Sequence, residues 1–518
     1  MNLQSFRSRL PGLWLGGLTS LVVASLVACG GGGSSAGTTP TTASAQTYSG
    51  TVSGLGSIVV NGVRFSTADA TAADADDPTQ PFSQAFKLGT TVVVNGSVDS
   101  DGVNGQATSI QVEGGVRGQI AAGSFAFDAG STTTGSLTVA GQLVKFDGNT
   151  VFDGEGAANF TAAWLSTNDF STNPIAVEVY GSVDATGTIV ATRIEKKDLT
   201  GLLFAIKGYV VNGSIDTTAQ TFDMLIKRGL TLTQQTVHVN YSGATVLPTG
   251  ATLHDGVGVR VLSSVDLTTV NPSGAGTPTL TASKLLIKSD RGVNGSAAKL
   301  HGVVSAVNGT TWTIGDVTID VSKNPIVRGF TSLNDVVVGT EVRVAGLFTD
   351  NVLTAKIVES DDYDHEHDGG GVKLFGVATG VDATARTFSV QGVTVKLPNL
   401  PSFNLPVEGA YVEVVATQVN GVLTAVRIGS SESRPFEVFG TTACTNGISD
   451  LQGTFALTLP VGSVSVDGST ARIEAEDGVN LSASTSPKSC LLEVKGTMTS
   501  VSGTKTIAAT KIEIKRLF

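Results

Sequence analysis

Short runs in which apolar and polar residues alternate recur along the chain, and Gly, Asn and Asp punctuate them. That two-residue period predicts strands with one face turned inward. The clearest stretch opens near Lys373. Strands are expected at 373–381, at 386–391 closed by Gly392, and at 393–397. A Pro-rich connection follows over 398–408. A hairpin then pairs 411–418 with 422–428 across Asn420-Gly421, a type I′ turn signal. Within it Val412, Val414 and Ala416 face inward and Glu413 faces out.

The same order repeats. An apolar strand around a Gly opens each copy, at Gly50, Gly118, Gly208, Gly302, Gly376 and Gly440. An alternating hairpin ending small-x-x-apolar closes it, as in Ala191-Thr192-Arg193-Ile194 and Ala509-Thr510-Lys511-Ile512. The opening glycines are 68, 90, 94, 74 and 64 residues apart. A solenoid needs a shorter, near-constant period, so this spacing points to separate small barrels strung in a row. Five strands with a variable insert between the third and fourth match a Greek-key barrel of the OB type. The expected fold class is therefore all-β, a tandem array of about six small five-stranded OB-like barrels. The repeats are placed at 48–113, 114–198, 199–290, 298–360, 373–430 and 436–518, with an acidic linker at 361–372. The first-strand Gly is expected to serve a tight bend. Repeat 3 carries an extra insert in its final hairpin, over 263–278.

The N-terminus reads as an address. Arg7 and Arg9 precede a mostly apolar, uncharged stretch over 13–27. That stretch is broken by Gly16 and Gly17 and falls short of the ~20 residues that a membrane span uses. It ends in Leu26-Val27-Ala28-Cys29, which resembles the lipobox of bacterial lipoproteins. The resemblance implies a signal peptide over 1–28 and a lipid (diacylglycerol and palmitate) on Cys29. It also implies a flexible Gly/Ser/Thr tether over 29–47 and sorting to the outer membrane.

Composition narrows the functions. The 518 residues carry 33 Lys+Arg against 44 Asp+Glu, a net charge of -11, which argues against nucleic acid as a partner. Five His and three Cys leave little for metal or His-based chemistry. The opening segment Gly50-Thr51-Val52-Ser53-Gly54-Leu55-Gly56-Ser57-Ile58-Val59-Val60-Asn61-Gly62-Val63-Arg64-Phe65, with the lipobox and poly-Gly tether, resembles repeat lipoproteins of Gram-negative bacteria. These carry tandem copies of an uncharacterised small β domain of unknown function. The resemblance spans 48–516 and transfers no catalytic or binding residue.

Several candidate sites remain. Asp364, His365, His367 and Asp368 crowd an acidic segment; they read either as a charge-extended linker or as a weak divalent-cation site for Ca2+ or Zn2+. Asp69, Asp74, Asp76 and Asp77 cluster in the insert of repeat 1, and Asp99-Ser100-Asp101-Gly102 marks a hairpin tip. In an exported chain Cys444 and Cys490 are expected to pair, the alternative being two buried thiols. OB barrels bind polymers on strands two and three, where this chain offers Phe65, Phe125, Phe127, Phe222, Trp312, Phe388 and Phe455. Single aromatics at alternating positions fit a core as readily as a stacking face.

Catalytic patterns are poor. Gly33-Ser34-Ser35-Ala36-Gly37 lies in the tether, Ser296-Ala297-Ala298-Lys299 lacks partner motifs, and His238, His254 and His301 read as structural. The sequence thus points to a non-enzymatic, lipid-anchored envelope protein with a structural, adhesive or polymer-binding role, engaging the membrane through Cys29. The alternative is a carbohydrate- or divalent-cation-binding surface module. No bound cofactor other than such a weak cation is expected.

Overall fold

The computed structural model describes residues 46–518 except 68, 83–85, 100–102, 155–159, 184–187, 228–233, 272–275, 288–294, 315–316, 351, 361–371, 402, 420–421, 430–435, 460, 476–478, 480–488 and 502–503. The chain is almost wholly β. In barrel 1 the five strands are Gln46–Leu55, Ile58–Val60, Val63–Ser66, Thr91–Val98 and Asn104–Glu113. Strand one pairs antiparallel with strands two and four, strand two with three, and four with five. Strand three pairs parallel with strand five, which closes the barrel in the order 1-2-3-5-4. That is the OB arrangement.

The order recurs in five further barrels. In barrel 5 the strands Val372–Asp382, Thr387–Val390, Val393–Lys396, Tyr411–Val419 and Val422–Gly429 close the same way. So do barrel 2, barrel 4 and barrel 6. Barrel 3 splits its last strand into Thr279–Thr281 and Lys284–Ile287. The insert before it holds a short helix, Leu267–Val270, capped by Asp266 Oδ1 accepting from the Thr268 N–H at 2.8 Å.

Two local devices repeat. The hairpin of strands two and three turns on a left-handed pair, Asn61-Gly62 in barrel 1, Ala140-Gly141 in barrel 2 and Gln391-Gly392 in barrel 5, as a type I′ turn requires. Strand four carries a register shift at Asn95/Gly96, Tyr180/Gly181, Ala345/Gly346, Val415/Ala416 and Lys495/Gly496, a bulge that bends the closing hairpin. A third device escaped the sequence reading. In five barrels a short strand of the variable insert, such as Thr71–Asp74 or Arg472–Ala475, adds parallel to the end of strand five.

The first-strand Gly serves close approach rather than a bend. A Cβ at Gly50 would lie 2.6 Å from Asn61 Oδ1, so the turn residue folds directly over the glycine.

The barrels are not strung in a row, which corrects the sequence-based expectation. Barrel 1 touches all five others. Its first strand pairs parallel with the first strand of barrel 4 (Gln46↔Ala297 to Ser49↔Leu300) and, farther along, with that of barrel 5 (Gly54↔Lys373, Leu55↔Leu374). The strands of barrels 1, 4 and 5 thereby form one continuous sheet, and barrels 2 and 3 form a second. The apolar interiors follow suit. Barrels 1 and 5 share one contiguous core, barrels 2 and 3 another, and Val377 and Tyr411 of barrel 5 pack into the core of barrel 6. The first strands of barrels 1, 4 and 5 thus pair with one another beyond their own barrels, and those of barrels 2 and 3 touch at Ala205↔Arg117.

Candidate functional site

The chemistry of this chain gathers where the barrels meet. Strand four faces strand one in fixed register, so the residue before each first-strand Gly lies opposite one outward position on strand four. These pairs are Arg117↔Glu178, Lys207↔Arg260, His301↔Arg343 and Phe439↔Glu493 in barrels 2, 3, 4 and 6. In a lone barrel such positions would face water. Here Glu178, Arg260 and Glu493 are instead buried against other barrels, among opposite charges.

Barrels 1, 2 and 3 meet around Arg260, which is 3% exposed. Its Nε donates to the Gly115 carbonyl at 2.7 Å, its Nη2 lies 3.1 Å from Glu178 Oε1, and it pairs with Asp76 of barrel 1. Arg117 Nη2 reaches Asp76 Oδ2 at 2.8 Å and Glu178 Oε1 at 2.9 Å. Burial pulls the Arg260 guanidinium down to about 10, against the opposing charge of Asp74. Burial also raises Asp74, with Arg260 opposing. Beside this cluster Glu195 accepts from Arg193 Nε, Lys87 Nζ and Lys197 Nζ, each at 2.8 Å. Burial opposes its ionisation, but these three cations overcome that and hold it well below the usual carboxylate range.

Barrels 1 and 6 meet around Glu437 and Glu493, 1% and 3% exposed. Ser66 Oγ donates to Glu437 at 2.9 Å, and Thr67 Oγ1 lies 2.9 Å from Glu437 Oε2 and 3.0 Å from Glu493 Oε1. Lys515 Nζ is 3.1 Å from Glu493 and 3.3 Å from Glu513.

A side-chain amide clamps the first strands of neighbouring barrels at two equivalent places. Asn61 Nδ2 donates to the carbonyls of Ser49 (3.0 Å, barrel 1) and Lys299 (3.2 Å, barrel 4). Gln391 Nε2 donates to those of Phe375 (3.2 Å, barrel 5) and Glu437 (2.6 Å, barrel 6). Each turn residue follows its own first-strand Gly in space, and Lys299 and Glu437 both lie three residues before theirs. Barrel 4 therefore docks on barrel 1 as barrel 6 docks on barrel 5. Between barrels 2 and 3 Gln142 plays a similar part, bonding both the N–H and the carbonyl of Lys207 at 2.8 and 2.6 Å.

Barrels 1 to 4 converge on a cavity of about 80 Å3 lined in part by Thr91, Glu113, Lys207, Tyr209, His301 and Glu341. His301 Nε2 lies 3.2 Å from Glu341 Oε1. The space suits a few waters rather than a substrate.

The sequence-derived candidates fall as follows. Cys444 and Cys490 are joined, their Cα atoms 5.9 Å apart. Cys29, Asp364, His365, His367 and Asp368 lie outside the described residues. The aromatics offered for a stacking face point inward: Phe65, Phe222, Trp312 and Phe388 are buried, and Phe125, Phe127 and Phe455 pack against the cores. Strands two and three turn outward both hydroxyl and charged side chains, as at Thr311, Thr313 and Thr318 of barrel 4, Lys145 of barrel 2 and Lys396 of barrel 5. The acidic insert of barrel 1 is divided: Asp76 joins the Arg260 cluster, while Asp69 is held by Lys511 of barrel 6 at 3.1 Å, which lowers its titration. His238 Nδ1 meets Asp223 across strands at 2.7 Å. Ser296 and Lys299 sit on one strand, with Lys299 Nζ 3.7 Å from Glu359. Among the described residues no three metal-ligating side chains converge, and no helix is long and apolar enough to cross a membrane. Sequence reasoning missed Arg260, Glu178, Glu437 and Glu493. For Arg260, Glu178 and Glu493 the signal was a charge set into an apolar strand, opposite the residue before the repeat glycine; Glu437 instead lies on strand one, opposite Lys495.

A family model described as a domain of unknown function (DUF5666) matches residues 49–111, 127–195, 301–359 and 375–429. The chain carries tandem copies of this domain. The four matched segments fall in barrels 1, 2, 4 and 5, and barrels 3 and 6 share their strand order. No curated protein matches the chain.

Proposed function

We propose that this protein is a non-enzymatic scaffold of the bacterial envelope, lipid-anchored at Cys29, that presents a body of six OB-like barrels to an envelope polymer or protein partner. The observation that carries this reading is the burial of the chain's charged clusters between barrels. Arg260, Glu178, Glu195, Glu437 and Glu493 are spent on one another and on holding barrels together, rather than lining a cleft. Such a body offers partners outward hydroxyl and charged side chains on its strands, as at Thr311, Thr313, Lys145 and Lys396, which suit hydrogen bonding along an extended chain. Several weak contacts of that kind would gain strength through avidity. The anchor follows from Leu26-Val27-Ala28-Cys29 and its uncharged apolar lead. More than one acyl chain is needed for stable attachment, and bacterial lipidation of a Cys supplies this.

The test is metabolic labelling with radioactive palmitate, followed by membrane fractionation, for the natural chain and for Cys29→Ala. Label and membrane association in the natural chain alone support the proposal. Equal labelling, or a labelled chain that stays soluble, contradicts it. Protease shaving of intact against lysed cells then tells whether the body meets surface or periplasmic partners.

A further inference from the structure

We propose that the junction between barrel 1 and barrel 6 is a pH-operated latch, closed when Glu493 is protonated and loosened when it ionises. The argument begins with a hydroxyl. Thr67 Oγ1 sits within hydrogen-bond distance of two buried carboxylates, Glu437 and Glu493, yet it has one proton to give. With both acids ionised, one of these contacts sets oxygen lone pairs against each other. With Glu493 protonated, a consistent chain forms: Glu493 donates to Thr67, and Thr67 donates to Glu437.

The charges facing this pair call for the same proton. From the strands of barrel 6 come the carboxylates Glu437, Glu493 and Glu513 and the ammonium groups Lys495 and Lys515. Lys495 lies 3.8 Å from Glu437 and 2.8 Å from Ser66 Oγ. At the rim Lys511 is shared by Asp69 of barrel 1, Glu474 and Glu513, and Arg472 pairs with Glu474. Five carboxylates thus meet four cations among the described residues, leaving one acid in excess. From barrel 5 the neutral Gln391 donates to the Glu437 carbonyl.

Burial first, and Glu437 second, push Glu493 up to about 7, against the pull of Lys515. Opening the junction would return it toward the ordinary 4.5. The closed form is therefore favoured fully below pH 4.5, loses its advantage as pH rises through about 7, and stays weaker above. A shift from 4.5 to about 7 caps the change in the closing equilibrium at roughly 300-fold.

The test is hydrogen–deuterium exchange of the whole protein at pH 5 and pH 8, corrected for intrinsic exchange. The reporter is the Thr67 amide, which donates to Glu437, and the reference is the Phe388 amide inside barrel 5. The expected result is at least a tenfold loss of Thr67 protection at pH 8 with Phe388 unchanged, and its disappearance in Glu493→Gln, which fixes the neutral form. Asp169→Asn, on the exposed surface of barrel 2, should retain the pH effect. Should Glu493→Gln not fold, the natural chain decides alone. Unchanged Thr67 protection, or parallel loss at Thr67 and Phe388, overturns the latch, as does a pH effect that persists in folded Glu493→Gln.

Discussion

Thr67 and Glu493 stand 426 residues apart in the chain and 3.0 Å apart in the fold. The last barrel has come back to the first. That contact is one of a set: barrel 1 reaches barrel 2 through Arg193 Nη1 on the Leu88 carbonyl at 3.0 Å, and barrel 3 through Lys284 Nζ on the Asp76 carbonyl at 2.7 Å. It reaches barrel 5 through the Arg64 guanidinium, 4.3 Å above the Phe375 ring. A repeat that closes each barrel by itself has been elaborated at its outer faces into a hub.

Arg260 is the most exacting of these contacts. Replacing it with Ala leaves Glu178 and Asp76 buried with fewer counter-charges and removes the donor to the Gly115 carbonyl. Breaking one side of a buried ion pair costs about 3–5 kcal/mol. Calorimetry of Arg260→Ala should show an earlier transition for barrels 2 and 3, whereas barrel 6 should melt as before.

Gln391→Ala removes both donors of the clamp between barrels 5 and 6. Two lost bonds to strand carbonyls cost about 1–3 kcal/mol. Chemical denaturation should show barrel 6 separating at lower denaturant, while Gly429→Ala, whose new methyl meets nothing within 4 Å, should leave the curve within about 0.5 kcal/mol.

The Cys444–Cys490 bond closes a loop of 46 residues. The loop-entropy relation assigns such a loop about 4 kcal/mol. Both sulfurs are fully buried, so reduction should need prior loosening of barrel 6. Replacing both residues with Ala should lower the unfolding midpoint of barrel 6 by that order, measured against the other barrels in the same scan.

Alternation made the barrels readable. Val412, Val414 and Ala416 do face the core, and strand four of barrel 5 runs Tyr411–Val419 against the expected 411–418. The hub was not readable, for a physical reason. A two-residue period says which side chains enter their own barrel and is silent on what covers the other face. Glu413 and Glu493 occupy the same position in their barrels, yet Glu413 is half-buried and Glu493 is sealed against barrel 1. Nothing in their local sequence separates them. The glycines misled in a milder way: Gly50 looked like a bend, but its use is to admit Asn61, a contact between strand one and a turn eleven residues on.

The central claim is that six barrels pack around the first instead of trailing from it. Small-angle X-ray scattering of the chain from Gln46 onward tests this most directly. Packing around a hub predicts a radius of gyration under about 30 Å, near the compact value of about 23 Å for this length. Six barrels in a row, each some 25 Å across, would give more than about 40 Å, and that result would contradict the account.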